Sequence, residues 1–323
     1  MRIDTAEHAQ GNIPPQSNLP DPVLTPLSRR QADRLVHLAL RAATDLGLTV
    51  TYQGGAALVP ADPSADRPVL GLSNLARIIA RFEEDRWPSL IEEHFTGMLA
   101  QLSQGPPPPP ADPERELIQR LVPRDALPSS WTSDRPDFLP GLISVPSAET
   151  DGVVTMYFEP ADLGLTWSDA ERFGLANLRR LKDQVEYVDH DDLRITFVSG
   201  TGYAASRALV LDTVLRETLQ VEHPPYGVLA ALPARDTLIL HVIEDLSVLP
   251  ALGVLLNVAA RCYSRDPGPL SPEVHLVTPG LTWHPATTEL PDHAPLRLSP
   301  ELESLTKLLA TREGAAQSRY PMP

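Results

Sequence analysis

Six residues, Gly200-Thr201-Gly202-Tyr203-Ala204-Ala205, have the types and spacing to hold a phosphate. Two glycines let a backbone approach an anion closely. A helix opening at Tyr203 would aim unpaired N–H groups at it, which is how dinucleotide-binding G-x-G-x-x-A turns work. Such turns need alternating parallel strands around them and a ribose-binding acid at the end of the next strand. Here the flanking segments read as hairpins, Glu222 precedes the next strand and Asp236 comes late. The expectation is a helix-start turn, with a nucleotide-binding enzyme using the Gly200–Ala205 loop as the alternative.

Arg235 and Asp236 follow an apolar strand in Pro233-Ala234-Arg235-Asp236. A guanidinium presents a planar fork for a carboxylate or phosphate, and a neighbouring Asp could orient it. Two charged residues between two apolar strands are also ordinary hairpin chemistry, with the Asp capping nearby N–H groups. The turn is the reading adopted. Gly202, Tyr203, Arg235 and Asp236 are nevertheless the candidate partner-binding residues. His190-Asp191-Asp192, and His241 with Glu244 and Asp245, contain metal-ligand types but no His-x-x-x-His spacing, so a solvated turn and a packed strand end are expected. Ser206 lacks the Gly-x-Ser-x-Gly elbow of a nucleophile. Cys262 falls on a mostly apolar helix and reads as a small hydrophobe. Asn177 falls on the inner side of its helix, where it should bond neighbouring backbone. No catalytic residue, metal or cofactor is expected.

These residues sit on a recurring order of elements. Thr166 and Ser168 precede a helix carrying Ala170, Phe173, Asn177 and Leu181 on one side. Strands at 185–188 and 193–198 follow, then a helix at 203–219, strands at 227–232 and 237–242, a helix at about 249–263, and strands at 274–277 and 281–283. A strand at 153–158 comes before them. Helix then two strands, three times over, predicts an α+β fold: a mostly antiparallel sheet with helices on one face. The three copies share no residue pattern. Further upstream, Ser28 caps a helix ended by Gly47, a hairpin turns at Gly54-Gly55, and helices run over 73–82 and 88–102. Gly105 and the prolines at 106–110 then interrupt every periodicity. The expected organisation is a disordered arm over 1–26, a small α+β domain over 27–104, a proline-rich linker over 105–111, an α+β domain over 112–310 and a flexible tail over 311–323.

Residues Phe173 to Leu178, Gly202 to Ser206 and Pro233 to Asp236, in that order and with their flanking strands, resemble the YtpQ-like family of uncharacterised bacterial proteins. The resemblance covers roughly residues 120–285. It implies an α+β fold and supplies no catalytic residue.

Composition limits the partners. The net charge is −15, and an acidic surface repels phosphate backbones and anionic membranes, so no nucleic acid and no membrane is expected. The single Cys262 rules out an intrachain disulfide and a multi-thiolate zinc site. Asp4 and Glu7, without an apolar core, do not read as a signal peptide, and the apolar run from Leu246 to Leu256 is too short for a bilayer. The expectation is a non-catalytic cytoplasmic binding or adaptor protein, chaperone-like in its use of a sheet and helices, whose partner is another protein. The alternative beside the nucleotide enzyme is an immunity or conflict-type protein that neutralises a basic partner.

Overall fold

The computed structural model describes residues 16–62, 69–105, 107–127, 129–132, 134–150, 152–190, 193–288 and 297–319. The fold is α+β with predominantly antiparallel sheets. The chain divides into two compact units, one through Gly105 and one from Pro106 on.

In the first unit, α1 (Arg29–Asp45) opens on a capping box in which Ser28 and Gln31 satisfy each other's backbone N–H groups. Leu35, Ala39 and Ala43 of α1 face a core shared with the hairpin β1 (Val50–Tyr52) and β2 (Ala57–Pro60), with β3 (Leu70–Gly71), and with α2 (Ser73–Ile79) and α3 (Trp87–Ser103). The expected arm over 1–26 does not extend that far. Residues 1–15 lie outside the described residues, but Leu24 and Leu27 are fully buried in this core. The Asp21 carboxylate accepts from the Val23 and Leu24 N–H groups, folding the proline-rich segment into a tight loop.

The second unit holds two larger sheets and a two-stranded ribbon that pairs Thr287–Thr288 with Arg297–Leu298. Strands β4 (Ile118–Pro123), β5 (Asp137–Leu139), β6 (Leu142–Thr150) and β7 (Val153–Met156) form one larger sheet, with β6 pairing all three others. The helix α4 (Trp167–Arg180), capped by Thr166, packs on it. Its fit is close: a Cβ on Gly174 would lie 2.8 Å from the Gln119 backbone nitrogen. The other sheet has six strands in the order β13-β12-β10-β11-β9-β8, every neighbour antiparallel: β8 (Gln184–His190), β9 (Leu193–Ser199), β10 (Val228–Ala234), β11 (Thr237–Val242), β12 (Val274–Val277) and β13 (Trp283–Pro285).

The expectation of helices on one face is corrected here, because the alternation of β10 and β11 sends apolar side chains both ways. Leu229, Ala231 and Ile239 pack against α5 (Val248–Arg265) and α6 (Pro300–Arg319). Ala230, Leu232, Leu238 and Leu240 pack against a helical segment at 205–218 and against Leu121, Leu139 and Leu142 of the first sheet. That segment is not the regular helix expected over 203–219. It is a 3-10 turn at Ala205–Val210, one α turn and a π turn at Val214–Thr218. The expected tail also starts later, since α6 runs to Arg319 and the Glu313 carboxylate accepts from the Leu246 N–H.

His275 of β12 is buried beside Trp283, with the exposed Glu273 carboxylate 3.6 Å away. Burial pushes its imidazole down to about 4. The folded state therefore favours the neutral ring, and the unfolded chain takes up the proton first as pH falls. This contribution is complete above the unfolded value near 6.5 and is lost as pH drops toward 4. It amounts to about 3 kcal/mol. Urea unfolding at several pH values should show the loss in the native chain and a smaller one in His275→Leu.

Candidate functional site

The three sequence motifs meet in space. Leu178 of α4, Tyr203 and Val210 share one apolar cluster. The Ala205 N–H donates to the Arg235 carbonyl (3.2 Å), joining the second motif to the third. What they form is a structural junction. Tyr203 is buried, its ring 5.1 Å from the Arg120 guanidinium and its hydroxyl 3.4 Å from that of Ser147. Ser206 accepts the Leu121 N–H at 2.9 Å and so ties the helical segment at 205–218 to β4 of the first sheet. Asn177 donates to the Glu114 and Leu117 carbonyls, both at 2.8 Å, and accepts from Arg180.

The strongest element of the junction has no motif of its own. Arg207 and Asp183 form an ion pair whose side chains are 2% and 1% exposed. Arg207 also donates to the Leu178 carbonyl, and Asp183 accepts from the Thr218 hydroxyl at 2.9 Å. The partners are 24 residues apart, and no local pattern links them.

The glycine loop is spent on the chain itself. Gly200, at φ +104, admits Gln184: a Cβ there would lie 2.8 Å from the Gln184 Cγ. The N–H groups that a phosphate would need are occupied, Tyr203 by the Thr201 hydroxyl, Ala204 by the Thr201 carbonyl and Ala205 by the Arg235 carbonyl. Gly202 is exposed and makes no close approach. These three N–H groups are therefore not free to cradle an anion.

Arg235 and Asp236 form the turn between β10 and β11, where Ala234 pairs with Thr237. The register shifts between Ala231 and Ala234, a bulge that accommodates Pro233, which has no N–H, inside a central strand. Both charged residues are exposed. The Arg235 stem lies over Gly268, whose Cβ would sit 2.6 Å from the Arg235 Cδ. Asp236 accepts from the Thr237 hydroxyl at 3.3 Å.

The open space in this unit lies elsewhere. A cleft of about 450 Å³ is lined by Tyr187, Asp189, Arg194, Thr196, His241 and Glu244, among others. Three strands, β8, β9 and β11, make its floor, and residues at 219–221 and 244–247 make its walls. Arg194 grips Asp189 through two hydrogen bonds, at 2.8 and 3.2 Å, and its guanidinium lies 5.4 Å from the Tyr187 ring centre. Hydrogen bonding to Arg194 holds the Asp189 carboxyl below its ordinary range, and the same bond raises Arg194. Bonds from the Ser247 side chain and N–H lower Asp245, and nearby His241 adds to the effect. Three carboxylates, Asp189, Glu244 and Asp245, thus line the cleft together with one guanidinium, that of Arg194.

His241, Asp245 and Ser247 line the same cleft but form no nucleophile relay. The His241 Nδ1 is 2.9 Å from the Arg194 carbonyl, which can only accept, so Nδ1 carries the proton. Ser247 bonds Asp245 directly and not through an imidazole. Cys262, partly buried on α5, has its thiol pushed up to about 11, chiefly by burial, so it stays protonated near neutral pH. Among the described residues no group of three or more His, Cys, Asp or Glu could hold a metal ion, and no helix is long and apolar enough to cross a membrane. Asp191 and Asp192, considered with His190 as ligands, lie outside the described residues.

Sequence reasoning singled out His241, Glu244 and Asp245 but missed the cleft they border, because Tyr187, Arg194 and Leu219 come from distant segments. Alternation in β8 and β9 places Tyr187, Arg194 and Thr196 on one side, and this was the available signal. Comparison with models of protein families, with curated proteins and with solved structures gives no match to this chain.

Proposed function

We propose that this chain is a non-catalytic binding or adaptor protein of the cytoplasm, YtpQ-like in its motifs, whose partner is another protein held at the cleft beside β8. The observation that carries this reading is the cleft, about 450 Å³ in volume, with an aromatic ring, backbone and carboxylates on its lining. The buried motif residues support it from the other side: Tyr203, Ser206 and Asn177, with their neighbour Arg207, are each engaged in holding the fold. A net charge of −15 favours a basic partner and disfavours nucleic acid. The same acidity supports the second reading, an immunity-type protein that neutralises a basic partner, which would use the same cleft.

The test is placement of a photo-crosslinking amino acid at two exposed positions, Tyr187 in the cleft and Leu308 on α6, in the cells that make the protein. A partner protein should crosslink from position 187 and not from 308. Absence of crosslinking at 187, or equal crosslinking at both, would overturn the assignment of the cleft.

A further inference from the structure

The two margins of the six-stranded sheet differ. β13 is three residues long and ends at Pro285, which has no N–H to donate. Shortness and proline are common ways of closing a sheet margin to a foreign strand. β8 has neither. Its seven residues contain no proline, glycine or lysine, and they pair with β9 at every position without a bulge. Among the described residues no strand pairs with its other side. Tyr187 and Val188 on it are 49% and 43% exposed.

The charge around β8 is mainly acidic: Asp189, Glu244 and Asp245 outnumber the single Arg194 guanidinium on the cleft side, and Glu186 lies on the strand's opposite face. Glu186 and Asp189 are exposed on the strand, and Glu244 and Asp245 are exposed on the adjoining wall of the cleft. This acidic excess repels an acidic strand. It also repels a second copy of β8, because pairing the two would crowd these carboxylates into one short ribbon. It attracts a basic strand.

The margin is also fixed in place before anything binds. Asp183, immediately before β8, is held by Arg207 and Thr218. Gln184 fills the space left by Gly200. At the far end the Asp189–Arg194 pair clamps β8 to β9. A preordered edge loses less entropy when a strand docks on it.

We propose that β8 is a docking edge that adds an extended strand from a basic partner, with Lys or Arg at alternate positions on the cleft side. This rests on the reading of the cleft as a protein-binding site and specifies how the partner is held. Main-chain hydrogen bonds along β8 would supply register, as in other cases of strand addition. Side chains two residues apart on the added strand, about 7 Å from one another, would reach the Tyr187 ring and the carboxylates of Asp189 and Glu244.

The test uses the full chain and fluorescein-labelled octapeptides, read by fluorescence anisotropy. The probes are alternating Arg-Val, alternating Glu-Val, and the Arg-Val peptide N-methylated at every second residue in each of the two phases. The Arg-Val peptide should bind, weakening as salt rises, and the Glu-Val peptide should not. At least one N-methylated phase should bind at least about tenfold more weakly, since its edge-facing N–H groups are gone. The variant Glu244→Lys, which changes a carboxylate of the cleft, should lose a similar factor. Failure of the Arg-Val peptide to bind, equal binding of the Glu-Val peptide, or undiminished binding to that variant would overturn the proposal. Equal binding of both N-methylated phases would overturn strand addition alone. The cleft assignment stands or falls separately, on the crosslinking at position 187.

Discussion

Replacing Arg207 by methionine should destabilise the second unit by about 4 kcal/mol, because it strands the Asp183 carboxylate without a cation in a site 1% exposed. Replacing Asp183 by leucine should cost about as much for the converse reason. The double variant should recover most of the loss. A buried pair pays for its attraction in lost hydration, so two apolar side chains of similar size come close to its net worth. Recovery will fall short of complete, since the Leu178 carbonyl and the Thr218 hydroxyl lose their partners. A double-mutant cycle from urea unfolding reads all of this. Single variants costing less than about 1 kcal/mol would mean that the pair is solvated, as exposed pairs are.

The second large effect separates two glycines that look equivalent in the sequence. Gly227→Ala should cost about 3 kcal/mol or more. Gly227 has φ +78, and a Cβ there would lie 2.0 Å from the Val277 carbonyl oxygen, in the backbone of the paired strand β12. No rotamer relieves a clash with backbone, so either β10 or β12 must move. Gly202→Ala should change stability by less than about 0.5 kcal/mol, because its φ is not in the left-handed region and nothing lies near its Cβ position. Thermal or urea unfolding of the two variants side by side checks the contrast. A costly Gly202→Ala would show that the loop is more confined than its geometry implies.

The hairpins of the six-stranded sheet were legible because each has a local cause. Apolar runs at 193–198 and 237–242 are bounded by turn residues, and their neighbours pair with them in sequence order. Ser28 and Thr166 marked their helices by the same local chemistry. The first sheet was not legible apart from β7, which lies wholly within the strand expected at 153–158. Its central strand β6 is buried on both sides over most of its length, so its side chains do not alternate in polarity, and Pro146 argues against an inner strand. The irregular helical segment was misread for another reason. Its apolar residues recur like those of a helix, but Ser206 is pinned to Leu121, and Arg207 and Thr218 are both pinned to Asp183, and that tertiary demand outweighs a regular backbone. Of the candidate site residues, the turn at Arg235 and Asp236 was readable from composition. The burial of Tyr203 was not, since its pocket is supplied by Arg120 and Ser147 from a sheet the sequence did not reveal.

Asn177 fixes where this protein can be cut. Its amide is held by carbonyls at Glu114 and Leu117, upstream of β4. The recognisable motifs begin only at Phe173, and a fragment trimmed to roughly residue 120 would look complete by its motifs. It would lack Leu117, buried beside Ala148 and Ala170, and both backbone acceptors of Asn177. The stretch that carries no motif is thus part of the scaffold on which the motifs stand, and an excised second unit has to include Glu114 to be the same molecule.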